Sequence, residues 1–429
     1  MNFKRTLLAT LISTAIAPAT VLATDGYFSH GYGMKAKGMA GVSTARTDDA
    51  FGGANNPAQG VFVGDRLDVG VDWFSPVRSV ERSDASIPPL NGKVESGREN
   101  FLIPEFGYNK MLSSNMSLGI SVYGNGGMNT AYPQGSFQCP TPTGFVAGNA
   151  LCGEGKLGVD LTQLIVAPTL AYKFAPNHAI GIAPLFGYQR FKIEGVQLFT
   201  QFSGSPSNVS NNDYDSSTGY GVRLGYLGRL SDSISIGAAY ATKMKMGKFD
   251  KYKGLFAEDG GFDMPENYNI GMMIRATPAL SFGLDYKRIN YNDVNSVGNP
   301  STNQAPLGAS NGPGFGWQNV NVWKFGVEYA VNSALTVRAG YGKSDNPIMA
   351  RDVTFNILAP GVVQDHYTLG LTYALAKNSE ITMAYMHAAK QSVTGSSLFN
   401  ALIPVPNAGG TETIQMYENS FGIAWGMKL

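Results

Sequence analysis

The sequence predicts an all-β protein: a 14-stranded antiparallel transmembrane β-barrel with an N-terminal hatch in its lumen. Three observations carry that expectation, namely scarce charge, hydrophobic alternation at period two, and connections sorted by length. Only 15% of the 429 residues are Asp, Glu, Lys or Arg, against roughly 25% in an ordinary soluble domain. Glycine (53 residues) and the aromatics (23 Phe, 21 Tyr, 4 Trp) are abundant, which favours strands and turns. After the first two dozen residues no apolar run approaches the ~18 residues of a spanning helix, so a helical membrane protein is excluded. A barrel escapes that test because its strands alternate apolar and polar residues. The balance of 32 basic against 31 acidic residues offers no basic field to nucleic acid.

The first element is an address. Lys4 and Arg5 precede an apolar stretch over 7–17, and Val21, Leu22 and Ala23 place small and apolar residues at a cleavage site. Residues 1–23 therefore read as a signal peptide, with the mature chain starting at Thr24. Residues 24–60 follow, rich in Gly and Ala and without period two. They are too long for a lead-in to a strand and form a candidate plug, the hatch, ahead of a barrel over 61–429. A lumen ringed by so many strands is wide enough to need one unless it is an open channel.

From residue 66 onward alternation dominates. Leu67, Val69, Val71 and Trp73 alternate with Arg66, Asp68, Gly70 and Asp72, giving one apolar and one polar face. The pattern returns in Leu118, Ile120 and Val122, in Tyr220 to Tyr226, and in Tyr268 to Ile274. It recurs in Leu280 to Tyr286 and Trp323 to Tyr329, and ends with Phe421, Ile423, Trp425, Met427 and Leu429. Aromatics close many of these rows, as in the interfacial girdles of membrane barrels. Short connections at 112–115, 174–178, 231–233, 277–279, 331–334 and 375–379 carry Pro, Asn, Asp and Ser. They alternate with long ones over 76–100, 126–160, 193–217, 247–266, 292–317, 343–364 and 391–413. Six short and seven long connections join 14 strands, with periplasmic turns and external loops. A soluble β-sandwich has no reason to sort its loops this way. The last strand stops at Leu429 without a tail, as expected of a C-terminal insertion signal.

Cys139 and Cys152 are the only cysteines and lie 13 positions apart in a Pro/Thr/Gly-rich loop. An exported chain meets an oxidising compartment, so a disulfide is expected, worth ~3 kcal/mol in the chain-entropy account. Two cysteines without clustered histidines give no metal site.

Gly31-Tyr32-Gly33-Met34-Lys35-Ala36-Lys37-Gly38-Met39-Ala40-Gly41, with Asp48-Asp49-Ala50 and Asn56-Pro57-Ala58, resembles the N-terminal hatch of the FadL family of outer-membrane transporters. Pro265 to Gly271 resembles that family's eighth strand, Trp323 to Tyr329 its tenth, and Thr336 to Tyr341 with Asn346-Pro347-Ile348 its eleventh. The resemblance implies passive uptake of long-chain fatty acids or aromatic compounds such as toluene or salicylate. A ligand would be captured among external loops, pass a shifting hatch, and leave sideways through the wall at a kink in the third strand. For the kink it points to Gly124, Gly126 and Gly127, where a glycine cluster permits a bulge; the alternative is that these glycines merely begin the long loop. For capture it points to Leu198, Phe199 and Phe202 in the third long loop and Leu255, Phe256 and Phe262 in the fourth; the alternative is loop packing. The cysteine loop and the final Leu429 depart from the family pattern and leave its branch open. The implied partners are a hydrophobic small molecule and the lipid and lipopolysaccharide of the bacterial outer membrane, around a monomer.

No enzymatic motif or cofactor site stands out. Gly31-x-Gly33 lacks a phosphate-loop ending, and His30, His178, His366 and His387 are scattered. Asn211, Asp213 and Asp215 lack the glycine and glutamate of a calcium loop. Inward Arg223, Lys287, Lys324 and Arg338 are expected to pair with carboxylates such as Asp285 and Glu328, or to meet a ligand carboxylate. The rival functions are a general porin for polar solutes and an adhesin that binds through its loops.

Overall fold

Residues 66–428 form a closed antiparallel barrel in the computed structural model, which describes residues 25–429. The segment read as a signal peptide, 1–23, and Thr24 lie outside the described residues. In chain order the wall strands are β1 (Arg66–Ser83), β2 (Phe101–Ser113), β3 (Met116–Tyr132), β4 (Leu157–Ala175), β5 (His178–Glu194), β6 (Asp215–Arg229) and β7 (Ile234–Ala241). There follow β8 (Asn267–Arg275), β9 (Leu280–Ile289), β10 (Val320–Ala330), β11 (Leu335–Ser344), β12 (Asp365–Ala376), β13 (Ser379–Ser396) and β14 (Thr411–Lys428). Each pairs with its sequence neighbour, and β14 returns to β1 over the full run from Arg66 beside Lys428 to Ser83 beside Thr411. That closure removes the sheet edges which an open sheet would expose.

Alternation decides which way the residues point. Val69, Val71 and Trp73 are exposed on the outside of β1, while Asp68, Gly70 and Asp72 are buried toward the lumen. Ile270, Trp323, Phe325, Leu369, Phe421 and Ile423 repeat the arrangement on other strands. A soluble protein would place these groups inside; here they form a lipid-facing belt. The interleaved positions differ from a simply small, uncharged lining. Arg66, Asp68, Asp72, Glu105, Asp285, Lys287, Lys324 and Arg338 are all buried inside.

Several strands run further than the period-two pattern predicts, three of them by five residues or more. β1 reaches Ser83, β3 reaches Tyr132 and β13 reaches Ser396, into the stretches read as loops. Beyond the lipid belt the outer face meets water, so pairing continues while apolar alternation stops, as with Glu81 paired to Thr413. The long loop after β3 carries a hairpin that pairs Phe137–Thr141 with Gly144–Gly148, and Cys139 is bonded to Cys152.

The residues before β1 fill the lumen. Residues 25–63 include a short helix at Met34–Lys37, a 3-10 turn at Pro57–Gln59 and a second short helix at Gly60–Val63, and nearly all their side chains are buried. Asn56 caps the turn by accepting from Ala58 N (3.1 Å), and its amide donates to Thr44 O and Tyr226 O (both 2.8 Å). A Cβ at Gly225 would lie 2.1 Å from Asn56 Oδ1, so the wall needs glycine for Asn56 and Pro57 to approach.

Candidate functional site

The ladder along the seam between β2 and β3 is interrupted partway up the wall; a shorter interruption lies between β4 and β5, at 167–169 facing 183–185. β2 and β3 pair from Ser113 beside Met116 up to Glu105 beside Tyr123, and there the ladder ends. Phe101 to Pro104 continue to pair with β1 alone, and Gly124 to Tyr132 with β4 alone. The β3–β4 register shifts between Gly124 and Gly126, which leaves Asn125 as the extra residue of a bulge. Higher up, the loop ahead of β2 meets β3, where Gly97 N donates to Ala131 O (2.9 Å) and Ala131 N to Ser96 Oγ (2.9 Å). Gly124, Gly126 and Gly127 thus belong to β3 itself, not to the start of the loop.

The edge of β3 that β2 leaves free is taken by the hatch. Phe28 and Gly126 form an antiparallel bridge, Gly127 N donates to Tyr27 O (3.0 Å), and Ser29 N donates to Asn125 O (3.1 Å). Tyr32 Oη adds a hydrogen bond to Asn125 O (3.1 Å). A Cβ at Gly126 would lie 1.8 Å from Tyr27 O. Glycine is therefore what lets residues 27–29 stand where a wall strand is missing.

An apolar body rises from this edge into the loops. Tyr27 packs against Tyr291 (ring centroids 5.0 Å), Trp317 (5.8 Å) and Phe262 (6.2 Å). Phe262 meets Phe256 (4.9 Å), which meets Phe191 (4.6 Å). Leu255, Phe199 and Met128 belong to the same cluster, and Leu198 packs against it. Leu255, Phe256 and Phe262 are thus buried packing groups and not an open groove, because the loop after β7 folds down over the lumen. Voids here are water-sized, about 20 Å³ beside Tyr27, Phe74, Met128 and Trp317.

Above it lies a cavity of about 570 Å³. Phe199 and Phe202 line it, and Phe199 stacks on Phe355 at 4.8 Å. The remaining apolar wall is Leu307, Phe355, Leu398 and Leu402, from the fifth, sixth and seventh long loops. Those residues stood in segments read only as loops; the signal was present in Leu398 to Leu402, but nothing local indicates that distant loops converge. Its wall is held by a buried pair: Arg82 Nη2 donates to Glu412 Oε1 (2.6 Å) and to Ala150 O (2.5 Å). Glu412 also accepts from Ser397 Oγ (2.8 Å) and from Thr354 Oγ1, and Leu398 N donates to Thr354 Oγ1 (3.0 Å).

Charge concentrates below, where the hatch meets the inner wall. Lys37 Nζ lies 2.9 Å from Asp72 Oδ2 and 3.3 Å from Glu105 Oε2, all three buried. Arg46 reaches Glu328 (3.0 Å), which also pairs with Arg338 (2.7 Å); Lys35 reaches Glu380 (2.7 Å), which also pairs with Arg66. Asp285 pairs with no lysine, instead accepting from Ser43 N (2.8 Å), Thr44 N (2.9 Å) and Thr44 Oγ1 (2.7 Å). Lys324 meets Asp25 (3.3 Å), Arg223 donates to the carbonyls of Gly53 and Ala54, and Lys287 lies over the Phe28 ring at 4.9 Å. Inward charges thus serve the hatch. Among hatch groups, burial, with Asp48 and Asp68 nearby, pushes the Asp49 carboxyl up to about 7. No group of three His, Cys, Asp or Glu among the described residues is arranged to hold a metal ion.

Residues 10–400 match the family described as outer membrane protein transport protein (OMPP1/FadL/TodX). Among solved structures, the toluene transporter TodX of Pseudomonas putida is similar with TM-score 0.69 at 18% identity, covering 93% of this chain and 99% of that one. A FadL homologue of Pseudomonas aeruginosa follows with TM-score 0.68 at 14% identity (94% and 99% covered). The toluene transporter TbuX of Ralstonia pickettii has TM-score 0.64 at 17% identity (93% and 99% covered). At these identities the likeness is one of fold. The comparison with curated proteins found no match.

Proposed function

The chain belongs to the OMPP1/FadL/TodX family of outer membrane transport proteins, and from that premise we propose that it carries hydrophobic small molecules passively across the outer membrane and releases them sideways. Residues 25–63 act as the hatch inside a barrel whose first strand begins at Arg66. The observation that carries this reading is the break between β2 and β3 above Glu105 and Tyr123, with Tyr27 to Ser29 occupying the freed edge. A ligand enters the cap cavity against Phe199 and Phe202. It then descends through Leu198, Leu255, Phe256 and Phe262, which part transiently because dispersion contacts have no fixed partner. Withdrawal of residues 27–29 from Gly126 and Gly127 uncovers the seam. The last step favours the bilayer, since transferring apolar area from a watery lumen to lipid is worth about 25 cal/mol per Å². Long-chain fatty acids and aromatic compounds both suit a route lined this way.

The test replaces Gly124 and Gly126 by leucine and measures ligand uptake by cells carrying a correctly inserted barrel. Altered uptake is expected, and unchanged uptake would rule out the lateral exit. A general porin would conduct ions steadily in a planar bilayer, whereas a lumen filled by residues 25–63 should not. An adhesin would lose attachment on loop deletion while uptake persisted.

A further inference from the structure

We infer that the cap cavity selects hydrophobic carboxylates over neutral molecules through Arg351, an inference that rests on the capture role proposed above. Among the described residues, Arg351 is the one charged side chain lining this cavity. It stands in the 3-10 turn Ala350–Asp352, on the loop between β11 and β12. Its Nε donates to Asp352 Oδ2 (3.1 Å), and among the described residues no acceptor meets its terminal nitrogens. Asp352 does not cancel it fully. That carboxylate is buried, and its Oδ1 already accepts from Ser301 N (2.9 Å) and Ser301 Oγ (2.8 Å). Its charge is therefore shared among three donors, while the guanidinium keeps an edge suited to a second, forked carboxylate.

Beside Arg351 the wall carries uncharged polar side chains, Gln201, Ser203, Asn303 and Gln304 among them, and an apolar part that seats the body of the ligand. Phe202, Leu307, Phe355 and Leu402 present carbon, so an anion without an apolar body gains little there. Arg351 is 42% exposed at its side chain and keeps its hydration until a ligand covers it. A molecule carrying both chemistries exchanges that water for a charge-assisted pair while burying its tail. Size sharpens the class. A cavity of about 150 Å³ suffices for benzene, whereas this one measures about 570 Å³, so it has room for a long chain or several rings bearing one carboxylate.

The experiment titrates the purified full-length barrel in detergent with 1-pyrenebutyrate and 1-pyrenebutanol at pH 8, following pyrene fluorescence with protein-free micelles as the blank. The acid is expected to bind about tenfold more tightly than the alcohol, the worth of one partly exposed charge-assisted pair. Arg351→Met should bring that ratio to about one, and Arg351→Lys should restore part of it. Equal affinities in the unaltered protein, or a ratio untouched by Arg351→Met, would overturn anion selection while leaving capture intact. Failure of both probes to bind would overturn the capture reading itself, and this inference with it.

Discussion

The lower lumen and the loop cap are built from opposite materials. Below, hatch and wall are joined by buried charges: Lys37 between Asp72 and Glu105, Arg46 on Glu328, and Thr44 on Asp285. Above, Phe191, Phe256, Phe262, Tyr27 and Trp317 meet through ring faces and edges, and among the described residues the fully buried ion pair of the cap is Arg82 with Glu412. Buried charges are directional and costly to leave unpaired; apolar contacts are neither. On the proposed route a ligand would thus loosen the cap by degrees, whereas the hatch would stay docked until several charged contacts are given up. The hinge between the two materials is residues 25–29, where Asp25 pairs with Lys324 while Tyr27 and Phe28 sit in the aromatic body.

The largest expected effect falls on the lower region. Lys37→Met leaves Asp72 and Glu105 buried without their cation, costing about 3–5 kcal/mol of docking; hydrogen exchange of residues 25–60 should accelerate while the loops stay protected. If the loops loosen equally, the two regions are one cooperative unit and the contrast fails. Glu412→Gln addresses the cap and should cost about 2 kcal/mol, the worth of hydrogen bonds to a charged group. Exchange should then rise around Thr354 and Ser397, with the hatch unaffected. Phe355→Leu removes the stack on Phe199, worth about 1 kcal/mol, and should weaken binding of a hydrophobic probe about fivefold; unchanged affinity would confine these rings to packing.

A further expected effect is one of pH. With its carboxyl pushed up to about 7 when docked, against about 4 when released into water, Asp49 favours docking when protonated. Its contribution is complete below about pH 4 and is lost as pH rises through about 7. A spin label at Thr47→Cys, in a background where Cys139 and Cys152 are serine, should therefore be more mobile at pH 7.5 than at pH 4.5. Asp49→Asn should flatten that difference.

Much of the wall was legible in the sequence because lipid imposes one rule on every outward residue. Trp323, Phe325 and Phe421 follow it, and the alternation of short and long connections then counts the strands. Strand ends were less legible: β1 continues past Arg78 to Ser83 because pairing outlasts the lipid belt. The hatch stood out as a Gly- and Ala-rich segment without period two, yet its partners did not, since Lys37 meets Asp72 and Glu105 only once the barrel closes. The glycines of β3 pointed to a bulge, but whether the strand continued beyond it depended on pairing with β4. The loop residues proposed for capture divided for the same reason. Phe199 and Phe202 line the cavity, whereas Leu255, Phe256 and Phe262 are equally apolar and pack below it. An apolar loop residue records that it avoids water, not whether it faces a ligand or a neighbour.

Release through the seam is most directly tested by stapling it. A Cβ at Gly124 would lie 3.2 Å from Ile103 Cγ2, one rung above the last β2–β3 pair. Ile103→Cys with Gly124→Cys, in a background where Cys139 and Cys152 are serine, can therefore be joined and reopened by oxidant and reductant while ligand uptake and probe affinity are followed. The lateral route predicts that uptake falls severalfold when the staple closes, recovers on reduction, and leaves probe affinity unchanged throughout. Equal uptake by the fully cross-linked and the reduced barrel would contradict it.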